Sequence, residues 1–285
     1  MIHITEREVA SIMAKNIENK PQEAAATAEQ AQQKRHVPFA VVEAYKTIRT
    51  NLSFLLTANE SNIITVTSPN AGEGKSTTSV NMAIAFSQLG DKVLIVDADM
   101  RRASLHKKLK LENKIGLSNV LAGFVSADEV VHPINDTLDA ITAGQLPPNP
   151  SELLGSSRFK AFIDDISKKY TYVIIDTPPV NIVSDTLLIA PHTAGLVLVV
   201  RDEFTYNDAI KRALGAIEFA NINILGAILN GAHPKESRRY HYRKYGYKKY
   251  RGYNYGYSGY GGYGYGGYGH TPSKPEAADS GESKQ

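Results

Sequence analysis

The chain has 285 residues, of which 42% are apolar, with 32 Lys and Arg residues against 29 Asp and Glu residues and a net charge of +3. A chain of this length can bury the core of one large globular domain. The absence of cysteine excludes disulfides, a thiolate nucleophile and cysteine-ligated metal centres. The longest apolar run, 194–200, is far shorter than the roughly 18–20 residues that span a bilayer, so we expect a cytoplasmic protein.

Charge and tyrosine are concentrated near the C-terminus. Eight basic residues and one acidic residue lie between Lys235 and Arg251, a local charge of +7 that leaves −4 for the rest of the chain. Glycine-rich sequence with almost no aliphatic residues cannot form a core, so residues 232–285 are predicted to be a disordered tail. Twelve of the 16 tyrosines lie there: Tyr240, Tyr242, Tyr245, Tyr247, Tyr250, Tyr253, Tyr255, Tyr257, Tyr260, Tyr263, Tyr265 and Tyr268.

The rest of the chain divides into an extension and one domain. Residues 1–36 contain a mildly amphipathic stretch and then an Ala/Gln/Glu-rich region, which indicates a weak helix followed by a linker. Residues 37–231 form the predicted domain. It opens with apolar residues at helical spacing from Val41 to Leu56, which predicts a helix packed on the elements that follow.

Short apolar runs then alternate with helical patterns. The helices are predicted at Lys75–Leu89, from Pro150 to about Tyr170, and at Thr205–Ala220. Such alternation, with strands apolar on both faces, is typical of an α/β domain with a parallel sheet covered by helices on both sides. The predicted strands are Ile63–Thr67, Val93–Val96, Leu138–Thr142, Val173–Ile175, Gly195–Val200 and Ile224–Leu229.

A phosphate-binding motif follows the first predicted strand. Residues 68–77 read Ser-Pro-Asn-Ala-Gly-Glu-Gly-Lys-Ser-Thr and lead into a helix. In such loops backbone N–H groups and the helix N-terminus hold phosphate, a lysine reaches the terminal phosphates, and a serine hydroxyl binds Mg²⁺. The motif predicts a P-loop NTPase type of fold and a nucleotide site made by Gly72, Glu73, Gly74, Lys75, Ser76 and Thr77.

Carboxylates follow two other predicted strands. Asp97 and Asp99 come at the end of the second strand, and Asp176 ends the strand Val173–Ile175. The carboxyl ends of parallel strands share the edge where α/β proteins bind ligands, so these groups should lie near the phosphate loop. We expect Lys75, Asp97 and Asp99 to be catalytic and Ser76, Asp99 and Asp176 to hold Mg²⁺. Which of Asp97 and Asp99 is the base stays open.

Together these motifs resemble the Walker A, A′ and B motifs of the bacterial tyrosine kinases (BY-kinases) that accompany capsule and exopolysaccharide synthesis. The resemblance covers about residues 40–270 and includes the tyrosine cluster. Such kinases are similar in fold to partitioning and septum-positioning ATPases, whose signature lysine is Asn70 here. The family's Pro-Gly-Glu-Gly-Lys is Ala71-Gly72-Glu73-Gly74-Lys75 in this chain.

The resemblance implies an ATP- and Mg²⁺-dependent kinase that autophosphorylates its tail tyrosines and regulates polysaccharide synthesis. It implies as partners protein substrates, a phosphotyrosine phosphatase and a membrane-bound activator that recruits the kinase to the inner membrane face. It also implies a homo-oligomeric ring through Glu43, Lys46 and Arg49, although Lys46 stands where the family has arginine and lacks its bidentate fork.

Two other functions are consistent with the sequence. A non-kinase P-loop ATPase switch would hydrolyse ATP and recruit partners without making phosphotyrosine. Basic residues among aromatic ones could instead bind nucleic acid, but we expect no nucleic acid as a partner. We further expect the unmodified basic tail to be attracted to an acidic nucleotide edge, and repelled from it once each phosphotyrosine has added about −1.5 to −2 of charge.

Overall fold

The computed structural model describes residues 38–57, 59 and 61–232, which belong to one compact unit. The N-terminal extension and the tyrosine-rich tail lie outside the described residues. Their predicted linker character, disorder and phosphorylation therefore stay predictions, as do the domain boundaries at residues 37 and 231.

The domain is built on one sheet of seven strands in the order β3-β4-β2-β5-β1-β6-β7. All neighbouring strands are parallel except β3 and β4. The strands are β1 Ile63–Thr67, β2 Val93–Asp97, β3 Val131–Pro133, β4 Leu138–Ile141, β5 Tyr172–Asp176, β6 Gly195–Arg201 and β7 Ile224–Asn230.

Eight α-helices connect and flank the strands in the described part of the chain. They are α1 Phe39–Thr57, α2 Lys75–Ser87, α3 Leu105–Leu109, α4 Leu117–Ala122, α5 Pro150–Leu154, α6 Ser157–Lys169, α7 Asp185–Ile189 and α8 Asn207–Phe219. Two 3₁₀ turns, Asp128–Val130 and Ala190–His192, complete the described secondary structure. Of the helices with described residues, none combines the length and the apolar character that crossing a membrane requires.

Both faces of the sheet are buried, as the apolar strands predicted. Ile64 and Val66 pack with α1, α2 and α3 on one face, whereas Ile63 packs with α4 to α7 on the other. Helix α8 covers the end of that second face through Ala213 and Ile217. Because successive side chains of a strand point to opposite faces, strands covered on both sides read as continuous apolar runs.

Three details differ from the sequence prediction. The sheet is not wholly parallel, because the short strand β3, which ends in Pro133, pairs antiparallel with β4. The single helix predicted from Pro150 is two helices, since Ser156 leaves the helical conformation and caps α6 by accepting from the Phe159 amide at 3.3 Å. Strand β7 is an edge strand and only partly buried, with Ile224 40% exposed.

The order of the strands places the predicted motifs together. Strand β1 lies between β5 and β6, and β5 in turn pairs with β2. The register aligns Asp97 at the end of β2 with Asp176 at the end of β5. The phosphate loop after β1 and both carboxylate motifs therefore share one edge of the sheet.

Candidate nucleotide and phosphotransfer site

The phosphate loop takes the backbone shape that its glycines permit. Gly72 and Gly74 have φ values of +84° and +95°, which L side chains rarely adopt. A Cβ on Gly74 would also clash with the side-chain amide of Asn230. Helix α2 begins directly after Gly74 and has no side-chain cap, so the first-turn N–H groups are open to an anion.

A cavity of about 540 Å³ lies in front of this helix terminus. Its size is within the range of pockets that hold small ligands. Four basic side chains line it, Lys75, Arg102, Lys108 and Arg201, against one acidic side chain, Asp99. The expectation of an acidic nucleotide edge was therefore wrong, because the other carboxylates are turned inward and the cavity wall is basic.

Glu73 stabilises the phosphate loop from the buried side. Its side chain is fully buried, and its carboxylate accepts hydrogen bonds from the Asn70 amide at 2.8 Å and the Thr205 hydroxyl at 2.9 Å. Asn230 donates to the Glu73 carbonyl at 3.0 Å, and Arg201 donates to the Gly72 carbonyl at 3.1 Å. Of the predicted phosphate-loop residues, Glu73 is thus the one whose side chain does not line the cavity.

Lys75 lies between two of the predicted carboxylates. Its ammonium is 2.8 Å from Asp99 Oδ2 and 3.7 Å from Asp176 Oδ2, and it donates to Ser76 Oγ at 3.2 Å. Burial alone would lower the pKa of Lys75, but the charges of Asp176 and Asp99 outweigh burial and raise it. Lys75 is therefore a fixed positive charge at the helix terminus.

Asp176 is fully buried and incompletely satisfied. Ser79 donates to Oδ1 at 3.1 Å, while Oδ2 accepts no hydrogen bond from the described residues. Burial raises the pKa of Asp176, and the Lys75 charge opposes that shift. The Lys75 ammonium, 3.7 Å from Oδ2, is too far away to donate a hydrogen bond, so a closer cation would further stabilise this buried oxygen.

The carboxylate of Asp97 stabilises the backbone of the loop that follows β2. Its carboxylate accepts three backbone hydrogen bonds, from Asp99 at 3.2 Å and from Ser104 and Leu105 at 3.0 Å each, and so fixes the turn that leads into α3. Burial and the charge of Asp176 raise its pKa to about 7. Both Asp97 oxygens are thus occupied by backbone, whereas Asp99 lines the cavity.

Arg101 is held by Asp185 and Ser151, an interaction that the sequence did not predict. Its guanidinium donates to Asp185 at 2.9 and 3.3 Å and to Ser151 at 2.8 Å, and the Ser151 hydroxyl donates to Asp185 at 2.6 Å. Asp185 is fully buried at the start of α7. Its position resembles an ordinary helix-start aspartate, so no local pattern could identify its role.

The predicted oligomerisation stripe lies on α1. Lys46 pairs with Glu43 at 2.8 Å, and both side chains are 44% exposed. Arg49 donates to the carbonyl of Ala85 on α2 at 2.8 Å. All three side chains therefore have partners within the chain, and assembly through them stays a prediction.

The site fits Mg²⁺ and a nucleoside triphosphate. The uncapped helix terminus and the basic cavity wall suit phosphate. The Asp176 oxygen that accepts no hydrogen bond suits a cation. In the described ranges no group of three or more His, Cys, Asp or Glu side chains could hold a metal alone. Mg²⁺ in nucleotide sites is usually bound by one or two carboxylates together with substrate phosphates, so this arrangement suits it.

Comparison with known proteins gives a consistent result. The model of the AAA domain family matches residues 61–218. Tyrosine-protein kinase YwqD of Bacillus subtilis is 39% identical over 201 residues, which cover 70% of this chain and 85% of that protein. Putative tyrosine-protein kinase CapB of Staphylococcus aureus is 35% identical over 203 residues, which cover 71% of this chain and 89% of that protein.

A solved structure agrees. The kinase domain of Escherichia coli tyrosine kinase ETK superposes with a TM-score of 0.66 at 36% identity, over 72% of this chain and 80% of that chain. The sequence relatives and the solved structure point to the same family. The geometry agrees with them, since the phosphate loop and both carboxylate motifs lie on one edge of the sheet. The chain therefore belongs to the family of bacterial tyrosine-protein kinases, built on the P-loop nucleotide-binding fold.

Proposed function

We propose that this chain is an ATP-dependent protein-tyrosine kinase that phosphorylates its own C-terminal tyrosines and regulates capsule or exopolysaccharide synthesis. The observation that carries the proposal is the position of Lys75, between Asp99 and Asp176 at the open N-terminus of α2. This places one cation and two carboxylates beside a phosphate cradle, as phosphoryl transfer requires.

The chain's own residues would perform the transfer by positioning and charge. The backbone N–H groups of the loop and of Ser76 and Thr77 hold phosphate oxygens, and Lys75 neutralises charge on the transferred group. Ser76 and Asp176 are the residues that would hold Mg²⁺ directly, and Asp99 would hold it through water, which leaves its carboxylate able to accept a proton. Bound there, the ion would supply charge stabilisation to the transferred phosphoryl group.

Asp99 is the better candidate for the base. A tyrosine hydroxyl, with a pKa near 10, is protonated at neutral pH, so a nearby carboxylate assists its attack. The Oη–Pγ bond forms as the bond from Pγ to the ADP oxygen breaks, and the phenol proton passes to Asp99 and then to water. Asp97, whose oxygens accept three backbone amides, instead shapes the loop that carries Asp99.

The tail supplies the acceptor in this proposal. Tyrosines two or three residues apart among glycines lack bulky neighbours that would hinder entry into a site. A glycine-rich coil of about 20 residues would have a typical reach of about 25 Å. That reach suffices for the chain's own site or a neighbour's.

The partners follow from the family. We infer a membrane-bound activator that recruits the kinase to the inner membrane face, a phosphotyrosine phosphatase that reverses the reaction, and external protein substrates. Assembly of a homo-oligomer through Glu43, Lys46 and Arg49 is part of the same inference. The half-exposed Glu43–Lys46 pair supports it, because such a pair can exchange partners with a second copy at little cost.

The test is autophosphorylation of purified protein with Mg-ATP, read with a phosphotyrosine antibody. Lys75→Met is expected to abolish the signal. Because it leaves Asp99 and the buried Asp176 without their cation, thermal unfolding is measured beside it to show that the variant is folded. Lys160→Met is the matched control, because Lys160 is an exposed lysine on α6. ATP hydrolysis without phosphotyrosine in the wild type would favour the non-kinase ATPase, and near-wild-type labelling in Lys75→Met would remove the assignment of the loop.

A further inference from the structure

The two edges of the sheet differ in how they are protected. The edge strand β3 has three residues, ends in Pro133 and follows the acidic 3₁₀ turn Asp128–Val130. Short length, proline and nearby charge are features that prevent a further strand from pairing at an edge. Strand β7 at the other edge has seven residues, Ile224–Asn230, and none of them is charged or a proline. The β7 edge is therefore open to the addition of a strand.

Alternate peptide groups of β7 point away from the sheet. Asn230 turns its carbonyl toward β6, since that carbonyl accepts from the Asp202 amide at 2.8 Å. Because neighbouring residues of a strand direct their peptide groups to opposite sides, the N–H and C=O groups of Ala227 and Leu229 point outward. Among the strands of the described residues, only β6 pairs with β7. The outward groups thus form a template for main-chain hydrogen bonds with an added strand.

One side of β7 leaves apolar side chains exposed. Ile224 pairs with Leu196, which packs with α8. Ala227 pairs with Leu198, which belongs to the same cluster. Ile224 and Ala227 therefore lie on the α8 side of the sheet, and both are exposed, whereas Ile228 on the other side is buried. An added strand can bury apolar side chains on the α8 side.

The sequence that follows β7 has the pattern of a strand. Gly231 has a φ of +78°, which is typical of a turn, and Pro234 follows shortly after. Residues 235–245 contain neither glycine nor proline, and Tyr240 and Tyr242 alternate there with arginine and histidine. An aromatic residue at every second position favours a strand with one face against an apolar surface.

We propose that the outer edge of β7 binds a segment of its own chain, Arg238–Tyr242, as an antiparallel strand. The segment follows the last residue of β7, Asn230, after a short connection. A strand from the same chain is present at high effective concentration, which favours it over a second copy of the protein. Residues 252–268 are glycine-rich and hence poorly suited to a strand. The predicted disorder of the tail is thereby limited to its other residues.

The register of the added strand follows from the exposed side chains. A connecting loop over residues 231–236 places Tyr240 opposite Ala227 and brings Tyr242 beside Ile224. Both rings then cover apolar surface on the α8 side. A shift by one residue turns the rings to the other side of the sheet, and a shift by two sets an arginine against Ala227.

Docking affects the tyrosines of the tail differently. Tyr240, opposite Ala227, lies about 10 Å before the carboxyl end of β7, and its peptide groups are paired. It must detach before it can reach a nucleotide site, whereas Tyr253–Tyr268 stay free. The distal tyrosines are therefore phosphorylated first, a consequence that rests on the proposed function, while the docking itself does not.

Disulfide formation tests the docking without nucleotide, because the chain contains no cysteine of its own. Full-length protein with Ala227→Cys and Tyr240→Cys should cross-link at least about fivefold faster than Ala227→Cys combined with Arg239→Cys or His241→Cys. Opposed residues that exchange hydrogen bonds have Cα atoms about 5.5 Å apart, which a disulfide can bridge. The side chains at 239 and 241 point to the other face. The same proteins in denaturing urea give the reference for thiol reactivity.

Two results of the cross-linking would overturn the proposal. Equal rates at positions 239, 240 and 241, relative to the reference in urea, would show a tail with no period of two and hence no strand. Disulfide-linked dimers in place of the bond within one chain would assign the β7 edge to a second copy of the protein.

Hydrogen exchange gives a second measurement, on protein without cysteine. Arg238 lies opposite Leu229 in this register, so Arg238→Pro removes a donor to the β7 edge. It should speed exchange of the Ala227 and Leu229 amides at least about fivefold. Ser258→Pro is the matched control, because it places proline in the glycine-rich part of the tail, and should leave both amides unchanged. Unchanged exchange in Arg238→Pro would contradict the docking.

The time course of autophosphorylation separates the docking from the kinase assignment. Early after addition of Mg-ATP, Tyr253–Tyr268 should carry most of the phosphate, and Arg238→Pro should raise the share at Tyr240 and Tyr242. A wild type that labels no tyrosine contradicts the proposed function, while cross-linking and hydrogen exchange still decide the docking. Active wild type that labels Tyr240 as early as the distal tyrosines contradicts the docking alone.

Discussion

Two regions of the molecule pair opposite charges: the nucleotide edge, where Lys75 lies beside Asp99 and Asp176, and helix α1, where Lys46 pairs with Glu43. The two regions differ in how far these side chains are exposed to water. At the nucleotide edge Asp97 and Asp176 are fully buried, and the side chain of Lys75 is only 11% exposed. Burial and neighbouring charges raise the pKa of both carboxyl groups, and, against the effect of burial, the neighbouring carboxylates raise the pKa of Lys75. On α1, Glu43 and Lys46 form a pair in which each side chain is 44% exposed.

The contrast shows where single charges matter. Buried charges depend on each partner, since removal of one leaves another desolvated and uncompensated. Exposed pairs are screened by water and contribute about 0–1 kcal/mol. We therefore expect large effects at the nucleotide edge and small ones on α1, where only assembly could amplify them.

The largest effect is expected at Asp99 and Asp176. Asp176→Asn and Asp99→Asn should each lower kcat by at least about 100-fold, because each removes a charge beside the phosphate site. Steady-state transfer to a tyrosine peptide measures this, with thermal unfolding to check that the fold persists. Full activity in both variants would mean that the site lies elsewhere.

Asp97 should affect stability as well as activity. Asp97→Ala leaves the backbone amides of Ser104 and Leu105 without their acceptor, which should cost about 1–3 kcal/mol of unfolding free energy. Urea denaturation measures the change. A midpoint equal to that of the wild type would show that water replaces the carboxylate without loss.

Asp185 should act through Arg101. Asp185→Asn weakens the bonds that hold the guanidinium of Arg101, whose charge interacts with Asp99. We expect Arg101 to neutralise phosphate charge at the site, so kcat should fall about tenfold, the equivalent of about 1.4 kcal/mol. Because Asp185 is a positioning residue, Arg101→Ala combined with Asp185→Asn should be no worse than Arg101→Ala alone. Additive losses would indicate that Asp185 acts independently.

On α1, Glu43→Gln should change the unfolding free energy of the monomer by less than about 0.5 kcal/mol. The double variant Glu43→Ala, Arg49→Ala should abolish any large particle that light scattering detects for dephosphorylated protein with Mg-nucleotide. Monomers in both proteins would discard assembly through this face.

The smallest effect is expected at His106, which is partly buried on α3. Burial, with help from Lys107, lowers its pKa. A folded-state pKa below the unfolded value means that protonation favours unfolding, so this contribution to stability is lost as the pH falls below about 6.5. His106→Gln should reduce the decrease in urea midpoint between pH 7 and pH 5.5, and an unchanged decrease would assign it to other groups.

Much of the fold follows from the sequence because buried strands have an unambiguous signature. Ile63–Thr67 was predicted with its bounds, and the other five predicted strands were confirmed to within one residue at each end. Strand β3 was missed because three residues ending in proline carry no strand pattern. The helix predicted from Pro150 was too long, since its break at Ser156 depends on a local cap that periodicity does not reveal.

At the site, the sequence identified the groups but not how they are held. Lys75, Asp99 and Asp176 were predicted to converge, and the structure brings them together. The supports of the phosphate loop, Thr205 and Asn230, come from distant parts of the chain. Only strand order brings them near the loop, and that order cannot be obtained from local pattern.

The most direct test of the central claim is to map phosphate by mass spectrometry after incubation with Mg-ATP, in the wild type and in Asp99→Asn. The account predicts phosphotyrosine within residues 240–268 of the wild type and at least about 100-fold less in the variant, with ATP binding retained in both. Phosphotyrosine formed in Asp99→Asn at the wild-type rate would contradict it, as would a wild type that hydrolyses ATP and carries no phosphotyrosine.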